Sequence, residues 1–496
     1  MASKMMAKDV GKNVIRGLKK FEDIPGPPCW PLVGSALMYR FGDFKKTQYH
    51  EAIKDMYCKY GPLVKENIGG KIIVHVFDPE DIKTVYSYEG KYPVVPPLQE
   101  TTQMYRAQKQ MSLGLGNTNG EEWYKLRSNC IQKMLRPKEV AFHLPSVDKT
   151  AKMLTDRIQQ GKNANDEMEE LRIEIGKWSI ENAANLVFDR QLDCLTTGSE
   201  RESWARDMVE ANAEIFKLSG DLKLSLPLYK YLSTPKWRKL VAAEDLFYSE
   251  AISLVDEALL RLTAGVEKGT LSPSQFYFLS YLISRESLDL KDVTVICLSL
   301  FTDGLSTTTP TLLFNLYALA RNPEVQEKVF QEVEKNLPFS SPATVQALAN
   351  LPYLKAFVKE TFRMYPNGTE VSRYLEEDIS LSGYQIPAGT HVDLNPSVHF
   401  MDPHLFPNPS KHSPERWLRE DAEQNIHPYL LTPFGHGTRM CAGRRFAEQD
   451  LYVVIARIIA RFKLSVPDEP ALNQIYHTLL FPDTPLHIQF RSREEA

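Results

Sequence analysis

From about residue 141 to residue 340, apolar positions recur every three or four residues almost without interruption, the period of helices that bury one face. Within that region, residues 289–322 form a run long enough for a single helix crossing the whole molecule. Strand character is confined to short places. Lys71–Val76 is a β-branched run, and residues 371–376, 379–386 and 391–395 follow the same pattern, with Ser-Gly and Pro-Ala-Gly turns among them. Residues 21–35, FEDIPGPPCWPLVGS, are too proline-rich for a helix and mark the start of the folded body. Pro403, Pro407 and Pro409 make residues 401–413 an irregular loop. The pattern predicts a mainly α protein with a small β part.

Composition narrows this further. The 496 residues are 43% hydrophobic with a formal net charge of −4, ordinary values for a chain that buries a large core. No Ser/Gly, Pro or charge-biased stretch reads as a flexible linker, so a single domain over residues 21–496 is expected. There is no dense Lys/Arg block and no aromatic-basic interleaving, which argues against a nucleic-acid partner. No apolar run is long enough to predict a transmembrane helix.

Residues 1–20 stand apart. Lys4, Lys8, Lys12 and Arg16 recur every four residues, while Met6, Val10, Val14 and Leu18 follow two residues out of phase. On a helix this gives one basic and one apolar face, with Asp9 the lone acid, the pattern of an organelle-import segment. A basic tail or a surface helix is the plainer reading.

The six cysteines, at 29, 58, 130, 194, 297 and 441, include no CxxC pair and no disulfide-framework spacing. Five read as small apolar residues. Cys441 differs, because it sits among glycines and arginines in residues 433–448, PFGHGTRMCAGRRFAE. Gly435, Gly437 and Gly443 let backbone approach a flat ligand, and Arg439 supplies a cation two residues before the sulfur. The stretch that follows has helical period, which puts Cys441 at a helix N-terminus, where amides and dipole favour thiolate. A glycine-rich turn around a buried cysteine is what composition alone allows.

The segment FGHGTRMCAG resembles the cytochrome P450 ligand loop, FGxGxRxCxG, at every fixed position. Other segments follow in that family's order, and the resemblance spans about residues 20 to 490. Trp123 and Arg127 in EEWYKLR match WxxxR, Glu360 and Arg363 in KETFRMYP match ExxR, Arg373 in VSRYL matches a strand arginine, and SPERW supplies Arg416. The resemblance implies a cytochrome P450 fold with haem b held between the long central helix and the cysteine loop. It makes Cys441 the axial iron ligand, Trp123, Arg127, Arg373 and Arg439 the haem contacts, and Glu360, Arg363 and Arg416 a structural network. His412 departs from the usual phenylalanine beside that network.

In FTDGLSTTTP, Gly304, the hydroxyl run and Pro310 weaken the helix ladder, so a bulge or kink is expected. By resemblance Thr307 is the threonine that steers protons. Ser306 stands where an acid is usual and Asp303 where a small residue is usual. Asp303 shares a helix face with Thr307 and is expected either to join a proton relay or to hold a polar group of the substrate; a carboxylate bonded within a broken helix is the alternative.

Three features are similar to the mitochondrial class of the family: the import-like start, GRRxAE at 443–448, and Lys355 with Lys359 one helical turn apart. They imply electrons from an acidic mitochondrial ferredoxin and its NADPH-dependent reductase, with the protein on the matrix side of the inner membrane. Members of this class hydroxylate sterols, steroids and secosteroids, and some invertebrate members oxidise xenobiotics. Residues 221–232, DLKLSLPLYKYL, are expected to touch a membrane surface and admit a lipophilic substrate. The rival readings are a member that rearranges a peroxide without external electrons, and a non-catalytic haem protein that binds a ligand.

Overall fold

The helical period of the central region becomes a stack of long helices around one that crosses the molecule. The computed structural model describes residues 17–493 other than 32, 273–274, 419–425 and 468–470, so most of the expected import segment, residues 1–16, lies outside the described residues. Lys19 already pairs with the body, exchanging backbone hydrogen bonds with Gly383 and Gln385. Phe21–Asp23 forms one 3-10 turn, so the stretch expected to lack helix has a single turn just before its prolines.

The helices that position the site are α1 (Glu100–Gln108), α2 (Gly120–Met134), α3 (Leu171–Phe188), α4 (Glu200–Lys223), α5 (Pro235–Glu267), α6 (Leu290–Arg321), α7 (Pro352–Met364) and α8 (Arg444–Arg461). At 32 residues α6 is about 48 Å long. Its start is fixed by a reciprocal cap, Asp292 N–H to the Asp289 carboxylate at 2.8 Å and Asp289 N–H to Asp292 at 3.0 Å. Pro323 follows its end at Asn322. The bulge half of the expectation is not met: the helix runs through Gly304 and Pro310 with neither a π nor a 3-10 segment. Side chains reinforce the weakened stretch, as Thr307 and Thr311 each donate to the carbonyl four residues earlier, at 2.8 and 2.7 Å.

Strands are β1 (Leu63–Ile68), β2 (Lys71–Val76), β3 (Val371–Tyr374), β4 (Ile379–Leu381), β5 (Tyr384–Ile386), β6 (His391–Leu394), β7 (Phe462–Ser465), β8 (Gln474–His477), β9 (Leu479–Pro482) and β10 (Gln489–Ser492). The largest sheet has the order β1-β2-β6-β3, with β2 and β6 parallel. The run at 379–386 splits into a hairpin because Ser382 and Gly383 both take positive φ. Residues 401–413 are irregular as expected.

Two large apolar clusters meet along α6. One draws on α2, α4 and α5 and reaches Ala442 and Phe446; the other joins α3, α7 and α8, with Trp178 fully buried at its centre. Cys130, Cys194 and Cys297 are buried as expected, whereas Cys29 and Cys58 are exposed, because each lies where no core element covers it. No helix among the described residues is long and apolar enough to cross a membrane.

Candidate haem site

The cysteine loop is held in shape by its own backbone. Gly435 and Gly437 have φ of 70° and 74°, and a Cβ at Gly437 would fall 2.7 Å from Glu89 Oε2. Cys441 N–H donates to Phe434 O at 2.9 Å, and Arg127 donates to Met440 O. α8 begins three residues later, so the sulfur does face a helix start. Burial pushes the Cys441 thiol up, while the N–H groups of Gly443 and Arg444 and the Arg127 charge pull it back down. The side chain is nonetheless accessible. An atom both accessible and desolvated lies on the wall of an interior cleft.

Asp303 on α6 has the same character, accessible yet so desolvated that its carboxyl is raised to about 6. Its charge is also felt at Cys441. The two residues thus face one cleft, with α6 on one side and the cysteine loop on the other. Thr307 and Ser306 donate to the Asp303 main-chain carbonyl, at 2.8 and 3.3 Å, so the predicted pair meets through backbone and not through the carboxylate.

The other arginines ring this cleft. Arg439 donates to the carbonyls of Pro93 and Thr118, both at 2.9 Å, and to the Asn119 side chain, with its guanidinium 3.9 Å from the Trp123 ring centroid. Burial, then the charges of Arg373 and Arg127, push Arg439 down to about 9. A guanidinium crowded this way calls for an anion, since it does not give up its proton. Arg373 Nε donates to Glu89 at 2.6 Å. Arg127 Nε has no partner among the described residues. Three guanidiniums, Arg127 and Arg373 buried and Arg439 half-buried, against one carboxylate leave an excess of two positive charges, which would balance the two negative propionates of haem b. An accessible cysteine, glycines that keep side chains out of the loop and this arginine set all suit a thiolate-ligated haem.

Several contributors gave no sequence signal. Arg106 on α1 is buried, donates to Leu113 O at 2.6 Å and to Tyr248, and attracts Asp303. Glu244 on α5, held by the Thr102 hydroxyl at 2.6 Å, lies next to it. Glu89 sits in an ordinary polar stretch. Asn119 alone could have been suspected, since TNGEE reads as a helix start.

Behind the loop, Glu360 is fully buried and accepts from Arg363 Nε at 3.0 Å and Nη2 at 2.7 Å, Arg416 Nε at 2.9 Å, Trp417 Nε1 at 2.8 Å and Ser413 N–H at 3.1 Å. Arg363 also donates to the carbonyls of Phe400 and Pro409. Every lone pair and most N–H groups are used, so α7 is tied to residues 400–417 at a single point. His412 keeps the aromatic role of the expected phenylalanine: its ring lies 5.0 Å from that of Phe357, and Nε2 bonds the Thr361 hydroxyl at 3.0 Å. Burial holds it down to about 4, hence neutral.

Lys359 is exposed and stacks 4.2 Å over Trp417, whereas Lys355 is half-buried, 5.9 Å over Tyr452. Burial lowers both, and Arg444 lowers Lys359 further, which puts the lysines beside the start of α8.

The family model for cytochrome P450 matches residues 24–490. The chain belongs to the cytochrome P450 family. It is 42% identical to the probable cytochrome P450 CYP44 of Caenorhabditis elegans over 482 residues, 95% of this chain and 94% of that one. It is 28% identical to the mitochondrial 1,25-dihydroxyvitamin D(3) 24-hydroxylase of Rattus norvegicus, covering 95% and 89% of the two chains. The mitochondrial sterol 26-hydroxylase of the same species is 26% identical, with 96% and 90% covered. This cytochrome P450 is therefore a monooxygenase of the haem-thiolate type, and its cofactor is haem b with a cysteine ligand.

Proposed function

We propose that this cytochrome P450 hydroxylates a steroid- or sterol-like substrate, using dioxygen and electrons from a mitochondrial ferredoxin served by its NADPH-dependent reductase. The carrying observation is that Cys441, Asp303 and three crowded guanidiniums converge on one interior cleft. Cys441 would hold haem b through its thiolate, and Arg127, Arg373, Arg439 and Trp123 would hold the propionates and the ring edge. When bound, haem b with a thiolate ligand supplies the activation of dioxygen for insertion of one oxygen atom into an unactivated C–H bond.

The chain supplies the surroundings. Thr307 positions a hydroxyl on the helix that roofs the cleft, and Asp303, raised to about 6, can hold or release a proton near neutral pH. Glu360, Arg363 and Arg416 keep the face behind the loop rigid. Lys355 and Lys359, with Arg444 beside them, give the cysteine side a positive rim for an acidic electron donor. The relatives named as mitochondrial hydroxylases support the matrix side of the inner membrane as its place. Leu226, Leu228, Tyr231 and Leu232 are all exposed, Tyr231 at 84%, and support a peripheral membrane contact at the end of α4.

The test has two arms. Reduced protein with carbon monoxide is expected to show the strongly red-shifted Soret band of thiolate-ligated haem, and Cys441→His to lose it while retaining haem. Ferredoxin, reductase and NADPH are then expected to support sterol- or steroid-dependent oxygen uptake. A globin-like spectrum overturns the ligand assignment; product formed from a peroxide without electrons, or uptake driven only by xenobiotics, overturns the electron source or the substrate class.

A further inference from the structure

A second cavity lies against α6, and neither Cys441, Asp303 nor the arginines of the haem cleft line it. Leu305, Thr309 and Leu313 line it, one stripe of the helix at four-residue spacing. From Leu305, about 160° round the axis from Asp303, the cavity reaches Pro310 on the Asp303 side. Its volume is about 510 Å³, within the range of small-molecule sites, on the order of 300–1,000 Å³.

The floor is apolar. Met168, Leu171, Ile173 and Val209 are buried there, and Phe481 closes one wall. Two polar groups interrupt it. Asn212 is 7% exposed, and its amide has no hydrogen-bond partner among the described residues. Thr309 is 4% exposed and its hydroxyl is likewise unpaired, but that oxygen is sealed from the cavity, so the Asn212 amide is the group a ligand can reach. A ligand that bonds it pairs a buried polar group otherwise left without a partner.

The rim has the opposite chemistry. Glu169, Glu170, Glu210 and Asp483 are exposed, and Glu167 is half-buried beside them. Arg172 is the one guanidinium on the lining, and His487 is 3.6 Å from Glu167. Glu170 is paired with Arg206 at 2.5 Å from outside the lining. Five carboxylates against Arg172 and Arg206 leave a clear negative excess at the mouth, which repels anions and draws cations.

We propose that this cavity is a second ligand site, distinct from the haem cleft, for an amphipathic cation whose apolar body lies on the floor and whose far end carries a hydrogen-bonding group for the Asn212 amide. The probe is (10-hydroxydecyl)trimethylammonium, whose quaternary nitrogen has no lone pair and cannot ligate iron. It is titrated calorimetrically into the holoenzyme with the haem cleft blocked by an iron-ligating azole.

One equivalent is expected to bind, at least tenfold tighter than the corresponding decyl sulfate and more weakly as salt is raised. Removing the probe's hydroxyl is expected to weaken binding to the wild type severalfold and to leave binding to Asn212→Leu unchanged. Ala213→Trp, which fills the cavity from a half-buried position on α4, is expected to abolish the equivalent, and Glu210→Lys to weaken it at least tenfold. The carbon monoxide spectrum of each variant checks that it is folded. No saturable binding to the wild type, equal binding of the sulfate, or binding undiminished in a folded Ala213→Trp protein would overturn the proposal.

Discussion

The Arg439 guanidinium stands 3.9 Å from the centroid of the Trp123 ring while donating to two main-chain carbonyls. A planar fork stacked on an aromatic face cannot be replaced by an ammonium, which has neither the plane nor the divergent donors. Arg439→Lys is expected to lose roughly 2 kcal/mol of haem retention, seen as faster haem transfer to apomyoglobin. Trp123→Phe keeps a ring and is expected to lose less. Wild-type retention in Arg439→Lys would remove Arg439 from the haem contacts.

Glu244 is fully buried, with one oxygen held by Thr102 and the other without a partner among the described residues, and burial pushes its carboxyl up to about 7. Its folded pKa is raised, so the native state binds this proton more tightly than the unfolded chain does. The resulting stabilisation is fully present below about pH 4.5 and is lost as pH rises towards 7. It amounts to about 3 kcal/mol at most. Glu244→Gln, which keeps the shape without the titration, is expected to flatten the fall in urea midpoint between pH 5 and pH 8. Parallel curves for the two proteins would show that another group sets the dependence.

What could be read from the sequence was what is local. The run at 289–322 became α6 with its caps in place, and Lys71–Val76 became β2 residue for residue, because period and end signals act over a few residues. The cysteine loop was legible for the same reason: its glycines, arginine and cysteine lie within ten positions. That α6 keeps helical hydrogen bonding through Gly304 and Pro310 was not legible, since packing against the neighbouring elements is not written in the local sequence. Arg106, Glu89 and Glu244 were invisible because each meets the site through a residue more than a hundred positions away. The exposure of Cys29 and the half-burial of Lys355 likewise depend on what packs over them.

Lys355 and Lys359 bear on the electron donor. Rim charges govern encounter and salt dependence more than they govern the buried cleft. Lys355→Glu with Lys359→Glu is expected to weaken ferredoxin binding at least tenfold at low ionic strength and to slow reduction, leaving substrate affinity little changed. Lys359 is the more exposed, so Lys359→Glu alone is expected to carry most of the effect. Unaltered ferredoxin affinity in the double variant would place the donor elsewhere on the surface.

The Thr307 hydroxyl is engaged with the Asp303 carbonyl at 2.8 Å, which leaves the Asp303 carboxyl turned to the cleft with Arg106 as its opposing charge. Thr307→Ala is expected to bind substrate normally but to release several times more hydrogen peroxide per electron pair, because a hydroxyl is lost where protons are guided. Asp303 separates two roles. Burial raises its carboxyl to about 6, so it is protonated below that pH and mostly ionised above it. If it relays protons, coupling in the wild type changes across pH 6, and Asp303→Asn abolishes that inflection and slows turnover of every substrate. If it grips the substrate, Asp303→Asn raises the dissociation constant of the native substrate about tenfold and spares analogues lacking the polar group. Coupling, turnover and affinity all unaltered in Asp303→Asn would leave the carboxyl with neither role, a partner of Arg106 within the wall of the cleft.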